Sequence, residues 1–523
     1  MRGNRRSQRV GVSRRAFSGS VLAAPFLIAA KQGPLTARVK VDTERRVGDI
    51  DRRIYGNFIE HLGRCIYGGV FDEGSPLSDE RGFRRDVMSA ARELNVAQLR
   101  WPGGNFSSNY HWMDGVGPRD ERPRRLDMAW GSVETNRFGT HEFLDFTSAI
   151  GADPYICMNL GTGSWGEAQQ WVEYCNSAED TAMTRLRKKN GRQDPWKVKY
   201  WGLGNEMDGP WQMGHRSAAD YGAFALETAK LAKWTDPSLQ LVIAGSSNYG
   251  AGADWIGWNR TVLDFLKEHA DYLSLHMYVG NPDNDFGDFL ASSMELDDRL
   301  KTAAGLINAA TSATPGRRIY IAFDEWNVWY RARGESQHGR NIMEEHYDLE
   351  DALVVATFLN CFIRHADTVK MANMAQLVNV IAPIFTSETG HFLQTIYYPM
   401  QLFATNSLGA SLDLFVDSPR YKSRRFDDVP YLDTSAACQD GQLVLNVVNR
   451  HPSLPIETDI LLEDRRYSGA ATAYEVSGPD PKAVNDFDRT AVSPRSRTLS
   501  AQGDRLRYAF PPRSFTCLKA QIA

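Results

Sequence analysis

Short apolar runs that alternate with longer amphipathic stretches restrict the fold of this chain more than any other feature. Between about residues 50 and 400, eight runs have the length and composition of buried strands, and each precedes a helical pattern or a polar loop. The predicted strands are 54–59, 96–99, 154–158, 198–201, 241–244, 272–275, 319–323 and 369–375. Eight such units over about 350 residues predict an α/β fold, a (β/α)8 TIM barrel with extended loops.

A doubly wound open sheet is the alternative arrangement of repeated βα units. Its nucleotide-binding versions carry a Gly-x-Gly-x-x-Gly turn between a strand and a helix. No such turn follows any of the eight runs. The barrel is therefore the favoured fold.

The pattern changes after about residue 400, where apolar alternation replaces the helical period. Stretches 441–450 and 506–522 predict β-strands separated by Pro, Gly, Asp and Ser. We therefore predict a barrel over residues 53–404 and a C-terminal all-β sandwich over residues 405–523. An alternating segment near the start predicts that residues 34–52 add a strand to that sandwich.

Polar side chains stand where each predicted barrel strand ends. They are Glu60 and His61, Arg100, Asn159, Asn205 with Glu206, Ser246, His276, Asp324 with Glu325, and Gln376. Barrel enzymes build their active sites from residues at the carboxyl ends of several strands. The sequence therefore predicts a deep, hydrogen-bonding pocket at one end of the barrel.

Glu206 and Glu325 are the strongest catalytic candidates. Each follows an apolar strand and lies among aromatic residues, glycine and asparagine. Hydrolysis of a glycosidic bond needs a proton donor for the leaving oxygen and a carboxylate that faces the anomeric carbon. A single glutamate at a strand end is usually a surface or salt-bridge residue, but glutamates after strands four and seven face each other across a barrel mouth. The pair predicts a glycosidase.

Seven longer motifs resemble the α-L-arabinofuranosidases of glycoside hydrolase family 51. They are 55–64 (YGNFIEHLGR), 100–105 (RWPGGN), 122–127 (RPRRLD), 159–162 (NLGT), 204–212 (GNEMDGPWQ), 275–278 (LHMY) and 375–379 (AQLVN). The resemblance extends over nearly everything from residue 37 onward. It implies a retaining exo-glycosidase that removes terminal α-L-arabinofuranosyl residues from arabinose-containing oligo- or polysaccharides by double displacement. It also implies a homo-oligomer.

The same resemblance implies roles for individual residues. Glu206 corresponds to the acid/base and Glu325 to the nucleophile. The residues implied for substrate binding are Glu60, Arg100, Asn105, Trp130, Asn205, His276, Tyr278, Trp329 and Gln376. For His276, a purely structural role at the top of the barrel is the alternative.

Two kinds of alternative function stay open at this point. The same scaffold could carry another specificity, that of an endo-glucanase, a β-xylosidase or a galactofuranosidase, because related sugars present similar hydroxyls to one pocket. A non-catalytic sugar-binding protein is the alternative from a different class. That alternative requires the loss of a catalytic carboxylate, and both are present in the sequence.

Charge and composition argue against other partners. The formal net charge is −4, and six arginines without any acid lie in the first 30 residues, so the rest of the chain is more acidic than the whole. Such a chain is a poor candidate for binding nucleic acid or an anionic membrane. The six cysteines form no Cys-x-x-Cys pair and the histidines form no His-Glu-x-x-His motif, so we expect no metal site and no cofactor.

Residues 1–33 resemble a twin-arginine signal peptide. Arg14 and Arg15 precede an apolar run over residues 21–30 that is too short to span a membrane. We therefore predict export to the periplasm or the exterior. The alternative is a basic tail on a cytoplasmic enzyme, the location that is common in the family resembled.

The stretch 330–348 predicts a long loop between strand seven and its helix. It is rich in Arg, Gly, Glu and His, and loops of this length are usually functional or mobile. It could cover part of the substrate cleft or make subunit contacts, and both remain open.

Overall fold

The computed structural model describes residues 35–250, 252–332, 341–501 and 503–523. The predicted leader, residues 1–33, lies outside the described residues. In the described part of the chain, none of the helices combines the length and the apolar character needed to cross a membrane.

Strands and helices alternate up to about residue 400, and strands dominate afterwards. The strands of the described chain are β1 (Leu35–Val41), β2 (Arg46–Ile50), β3 (Gly56–Phe58), β4 (Gln98–Trp101), β5 (Arg125–Leu126), β6 (Val133–Glu134), β7 (Asp153–Met158), β8 (Tyr200–Leu203), β9 (Gln240–Ala244), β10 (Tyr272–Val279), β11 (Tyr320–Val328), β12 (Val369–Ala375), β13 (Ile384–Thr386), β14 (His391–Leu393), β15 (Gly409–Leu412), β16 (Phe415–Asp417), β17 (Arg420–Tyr421), β18 (Val429–Pro430), β19 (Leu432–Gln439), β20 (Gln442–Asn449), β21 (Ile456–Leu462), β22 (Ala471–Ser477), β23 (Arg495–Leu499), β24 (Arg505–Phe510) and β25 (Ser514–Gln521). The α-helices are α1 (Arg85–Glu93), α2 (Thr140–Ile150), α3 (Trp165–Asn176), α4 (Ala182–Lys189), α5 (Ala218–Thr235), α6 (Trp255–Leu266), α7 (Phe286–Leu290), α8 (Ser292–Thr311), α9 (Leu349–Arg364) and α10 (Tyr397–Asn406).

Eight parallel strands close into a barrel. Their order around it is β3, β4, β7, β8, β9, β10, β11 and β12, and β12 pairs with β3 to complete the ring. Neighbours in the ring are parallel throughout. Each run predicted from the sequence overlaps one of these strands, so the predicted (β/α)8 barrel is confirmed.

Alternate residues of the barrel strands pack on opposite sides of the sheet. One set forms a small separate cluster that is drawn from six of the eight strands: Tyr155, Tyr200, Val242, Tyr272, Ala322 and Met371. The other set, which includes Leu241 and Ile243 of β9, belongs to the large core shared with the helices. The barrel is therefore packed with side chains, and a pocket can form only at its ends.

Two β-sheets follow the barrel and pack on a common apolar core. One has the order β16-β1-β21-β24, and the other has the order β2-β15-β19-β20-β25-β22-β23. Both include strands from the start of the chain, because β1 pairs with β21 and β2 pairs with β15. The C-terminal part is therefore the predicted strand-rich domain, completed by N-terminal strands.

Helix α9 connects the barrel to the seven-stranded sheet. Asp348 caps its start, since the side chain accepts a hydrogen bond from the Asp351 amide. Every residue from Leu349 to Ile363 is buried. The Asn360 side-chain amide donates to Asp433 at 2.8 Å across this contact, so the sheet buttresses the barrel wall that carries β11.

Strands six and seven of the barrel are longer than their apolar runs indicate. We predicted that they end at residues 275 and 323, whereas β10 continues to Val279 and β11 to Val328. The extensions hold polar side chains such as His276 and Asn327, which are buried and hydrogen-bonded. A strand tolerates buried polar groups that have hydrogen-bond partners. In the sequence, however, such polar residues resemble a loop, so the predicted strands end too early.

Candidate active site

A cavity of about 610 Å³ opens at the carboxyl ends of the barrel strands. Nine of the eleven predicted site residues line it, namely Glu60, Asn105, Trp130, Glu206, His276, Tyr278, Glu325, Trp329 and Gln376. The other two, Arg100 and Asn205, are buried and hydrogen-bonded to one another, and Arg100 also contacts Glu325. The structure therefore brings all eleven residues into one site.

Glu325 lies in β11 and is held by two donors. The Arg100 guanidinium donates to its Oε2 at 2.9 Å, and the Tyr278 hydroxyl donates to its Oε1 at 2.9 Å. Arg100 is 1% exposed, so its charge acts on Glu325 without screening by bulk water. The arrangement fixes the orientation of the carboxylate and compensates its charge.

Glu206 follows β8 in a strained backbone conformation. Its φ of 44° lies in the left-handed region that non-glycine residues rarely adopt. The Trp211 indole donates to Oε2 at 2.6 Å, and His276 Nδ1 lies 2.9 Å from Oε1. These contacts hold the side chain toward the cavity.

The two glutamates are close enough to act on one bond. One carboxylate oxygen of Glu206, one of Glu325 and a ring nitrogen of His276 all lie within 4.8 Å of one another. Retaining glycosidases place their two carboxyl groups about 5–5.5 Å apart, whereas inverting enzymes need about 6.5–9.5 Å to admit a water molecule. The spacing suits direct attack by one carboxylate on the sugar.

His276 is a buried cation between acidic groups. Burial alone would lower the pKa of its imidazole, but the charge of Glu325 and the contacts with Asp324 and Glu206 raise that pKa to about 10. Its Nε2 lies 3.4 Å from Asp324 Oδ1, and its Nδ1 faces both Glu206 and Glu325. At neutral pH the imidazolium therefore donates to Glu206.

Asp324 lies beneath these groups as a buried counter-ion. It accepts hydrogen bonds from the hydroxyls of Tyr155, at 2.7 Å, and Ser274, at 2.6 Å. Burial would raise the pKa of this carboxyl, but the Arg100 charge and the His276 contact lower it to about 2. Asp324 thus balances one of the two cations under the cavity floor.

Glu60 forms the opposite side of the pocket. Its Oε1 accepts from the Phe106 amide at 3.0 Å and from the Trp130 indole at 3.1 Å, while Gln376 Nε2 lies 3.2 Å from Oε2. Burial raises the pKa of Glu60 to about 8; the Phe106 amide works against this effect, and the nearby charge of Glu325 adds to it. Glu60 is therefore protonated at neutral pH.

We expect infrared difference spectra to show a protonated carboxyl band that titrates near pH 8 and that is absent in Glu60→Gln.

The pH dependence of stability gives a second measurement. The free energy of unfolding of the wild-type protein should fall relative to that of Glu60→Gln as the pH rises from about 5 to 8, because the folded state keeps a proton that the unfolded chain releases near the ordinary pKa of glutamate. Loss of the carboxyl band near pH 4.5 would contradict this environment for Glu60.

Several cavity residues were not predicted from the sequence. They are Leu62, Gly104, Trp211, Ser247, Tyr249, Met277, Arg299, Met343 and Ile381. Trp211 had a usable signal, because it lies in the same motif as Glu206. Arg299 had none, because it lies in the middle of helix α8 and resembles a solvent-exposed charge.

Two clusters in the described part of the chain have metal-ligating atoms close together. One is Glu206, His276 and Glu325, and the other is Asp297, Cys361 and His365. A cationic side chain already compensates each: Arg100 contacts Glu325, and Lys301 pairs with Asp297. In each cluster, a carboxylate that could bind a metal is therefore already paired with a cationic side chain of the protein.

The described part of the 330–348 loop lies against the cavity. Met343 lines the cavity, and Glu345 accepts hydrogen bonds from the backbone amides of Tyr330 and Arg331, each at 3.1 Å. Residues 333–340 lie outside the described residues. This loop contributes at least one wall residue to the pocket.

Family models cover most of the barrel and the C-terminal region. The model of the α-L-arabinofuranosidase 1 domain matches residues 90–289, and that of the α-L-arabinofuranosidase C-terminal domain matches residues 324–514. An intracellular exo-α-(1→5)-L-arabinofuranosidase of Bacillus subtilis is 42% identical to the chain over 494 residues, which cover 92% of this chain and 98% of the relative.

The names of the relatives overturn the predicted cellular location. Three relatives are named intracellular enzymes, at 41–43% identity. The expectation of twin-arginine export is therefore wrong, and the cytoplasmic alternative agrees with these relatives. A basic stretch before a short apolar run is a weak signal, because a basic tail has the same composition.

Solved structures agree with the family models over the whole described fold. An α-L-arabinofuranosidase from Thermotoga maritima, in complex with arabinose, has a TM-score of 0.85 and 39% identity, and the match covers 93% of this chain and 100% of that chain. A family 51 α-L-arabinofuranosidase from Bifidobacterium longum has a TM-score of 0.88 and 33% identity, over 94% of this chain and 100% of that chain. With such identity over nearly its full length, the chain belongs to the α-L-arabinofuranosidases of glycoside hydrolase family 51.

Proposed function

We propose that this chain is a retaining exo-glycosidase that hydrolyses terminal non-reducing α-L-arabinofuranosyl residues. The observation that carries the proposal is the close approach of Glu206 and Glu325, with oxygens within 4.8 Å of one another in a cavity at the barrel mouth. The alternatives on the same scaffold find no support among the relatives above 30% identity.

In the first step, Glu325 attacks the anomeric carbon while Glu206 protonates the leaving oxygen. Arg100 and Tyr278 hold Glu325 in one orientation, so the carboxylate needs little reorganisation before attack. A covalent glycosyl-enzyme of inverted configuration forms. The His276 imidazolium then stabilises the Glu206 carboxylate that remains after proton donation.

In the second step, Glu206 acts as the base. It removes a proton from a water molecule that attacks the glycosyl-enzyme from the side that the leaving group has vacated. The second inversion restores the original configuration, so the released arabinose is the α anomer. Glu206 is protonated again and the cycle closes.

The remaining polar residues position the sugar. We assign Asn205, which accepts a hydrogen bond from Arg100, to the 2-hydroxyl of the sugar, an interaction that strengthens as the oxocarbenium ion develops. Glu60, Asn105 and Gln376 are suited to hold the other hydroxyls. The indole rings of Trp130 and Trp329 wall the pocket, which favours a single terminal sugar over an internal segment of a chain.

We further propose a cytoplasmic homo-oligomer that acts on arabinose-containing oligosaccharides. Relatives named as intracellular enzymes support the location, and the family resemblance supports the assembly. Within the chain, we assign catalysis to a barrel over residues 53–404 and a supporting role to the sandwich of residues 34–52 and 405–523.

A screen of p-nitrophenyl glycosides tests the specificity. We expect hydrolysis of the α-L-arabinofuranoside to exceed that of the β-D-xyloside and β-D-galactofuranoside by about 10–200-fold, since small differences in a sugar cost about 1–3 kcal/mol in a shaped pocket. The β-cellobioside should not react. Activity on the cellobioside without activity on the arabinofuranoside would overturn the proposed specificity.

A further inference from the structure

The cavity extends beyond the sugar-binding residues on the side of Glu206. Trp211, Ser247, Tyr249 and Arg299 line this part of it. Two of these are large aromatic side chains that stay exposed, Trp211 at 49% and Tyr249 at 37%. Exposed aromatic rings that line a cavity offer flat apolar faces on which a ligand can pack.

Tyr249 is held in place by two neighbours. The Arg299 guanidinium lies 3.3 Å from the centre of its ring, and the Trp255 indole stacks on it with centroids 5.9 Å apart. Cation–π and stacking contacts of this kind restrict an exposed ring without burying it. The ring is thus preorganised at the rim of the cavity.

The charge of Arg299 is already compensated. Its guanidinium pairs with Glu295, and Glu295 also pairs with Arg425 at 3.0 Å. Arg299 therefore supports Tyr249 rather than offering a free cation to an acidic ligand. This part of the cavity suits an uncharged partner.

The position of the acid/base group decides which part of a substrate lies here. Glu206 must contact the glycosidic oxygen, so the leaving sugar has to extend past Glu206, and the indole of Trp211 lies against that carboxylate. We propose that Trp211 and Tyr249 form a leaving-group subsite for a neutral sugar of the glycan chain, with Arg299 as the positioning residue of Tyr249. This inference rests on the proposed function.

Two substrates with the same arabinosyl group but different leaving groups test the subsite. α-1,5-L-Arabinotriose places a sugar in the subsite, whereas α-L-arabinofuranosyl fluoride places nothing there. In Tyr249→Ala, the ratio of kcat/KM for arabinotriose to kcat/KM for the fluoride should fall about tenfold. Tyr249→Phe should keep most of the wild-type ratio, because it keeps the ring.

Three controls separate this role from a structural one. Trp234, which is 76% exposed on α5, lies outside the cavity, so Trp234→Ala should leave the ratio unchanged. Arg299→Met should lower the ratio by less than Tyr249→Ala does. Arg299→Lys, which keeps the cation, should have a ratio closer to that of the wild type. In the Tyr249→Ala variant, transfer of the arabinosyl group from the fluoride to a sugar acceptor should fall relative to transfer to methanol.

An unchanged ratio in Tyr249→Ala, or an equal loss on both substrates, would overturn the subsite. Failure of the proposed function looks different, because the wild-type protein would then turn over neither arabinofuranosyl substrate. A larger ratio for an acidic leaving sugar than for a neutral one would also overturn the assignment, since it would require a free cation in the subsite.

Discussion

Replacing Glu325 with alanine is expected to lower kcat/KM by about 10⁴-fold or more on every arabinofuranoside, whatever its leaving group. The substitution removes the group that forms the covalent intermediate. Glu60 also lines the cavity, but its raised pKa of about 8 keeps it protonated at neutral pH, and it accepts hydrogen bonds from Phe106 and Trp130. Steady-state kinetics with aryl leaving groups of different acidity measures this. The loss should be equally severe on a dinitrophenyl and on a nitrophenyl glycoside.

The fold of the variant needs to be checked, because Glu325 is buried and pairs with Arg100. Glu325→Gln, which keeps the shape and most hydrogen bonds, should lose activity as severely as Glu325→Ala while unfolding closer to the wild-type temperature. In Glu325→Ala, added azide should occupy the space that the nucleophile has vacated and give a β-configured arabinosyl azide. Retention of more than about 1% activity on a dinitrophenyl glycoside would contradict the nucleophile assignment.

Replacing Glu206 with alanine should have an effect that depends on the leaving group. Poor leaving groups, such as the sugars of natural substrates, need protonation, so their hydrolysis should fall by about 10²–10⁴-fold. Dinitrophenolate departs without a proton, so the first step should survive on that substrate. The second step still lacks its base, and the glycosyl-enzyme should accumulate as a burst of released dinitrophenolate.

Azide separates the roles of the two glutamates. In Glu206→Ala, azide needs no base to attack the glycosyl-enzyme, so it should restore turnover and give the α-configured arabinosyl azide. Trp211→Phe is a matched control, because it removes the indole donor to Glu206 and keeps the carboxylate. That variant should lose activity without becoming responsive to azide. A β-configured azide from Glu206→Ala would show that the roles are reversed.

The barrel could be predicted from the sequence because its strands are buried on both faces. The run 241–244 is continuously apolar, and 369–375 is apolar apart from Lys370 and Asn373; β9 and β12 lie at these positions. The predicted extent of the first strand, 54–59, was less accurate, because residues Arg52–Tyr55 form a 3-10 helix that Asp51 caps. A local hydrogen bond between the Arg53 amide and Asp51 decides that boundary, and periodicity does not report it.

The core of the site was accessible to the same reasoning, because barrel topology brings strand ends together. Glu60, Glu206 and Glu325 are far apart in the sequence, yet each follows or ends an apolar run, and all three line one cavity. The charge balance beneath them was not accessible. The protonation of His276 depends on its distances from Glu325, Asp324 and Glu206, which no sequence pattern encodes.

The leaving-group side of the cavity could not be predicted for a different reason. Arg299 lies on a helix whose polar residues resemble a solvent-exposed face, and Tyr249 lies in a loop without periodicity. Their contact joins positions from two βα units, so only the folded chain shows it. The leader is the opposite case, because its basic and apolar residues form a purely local pattern, and that pattern predicted the wrong location.

The residue that carries the arabinosyl group in the covalent intermediate can be identified by mass spectrometry. Glu206→Ala should be mixed with the dinitrophenyl α-L-arabinofuranoside, quenched in acid during the burst, digested with pepsin and analysed by tandem mass spectrometry. We expect one arabinosyl group, bound to Glu325 in the peptide that contains Asp324 and Trp326. An arabinosyl group on any other residue, or a burst without a covalent adduct, would contradict this assignment.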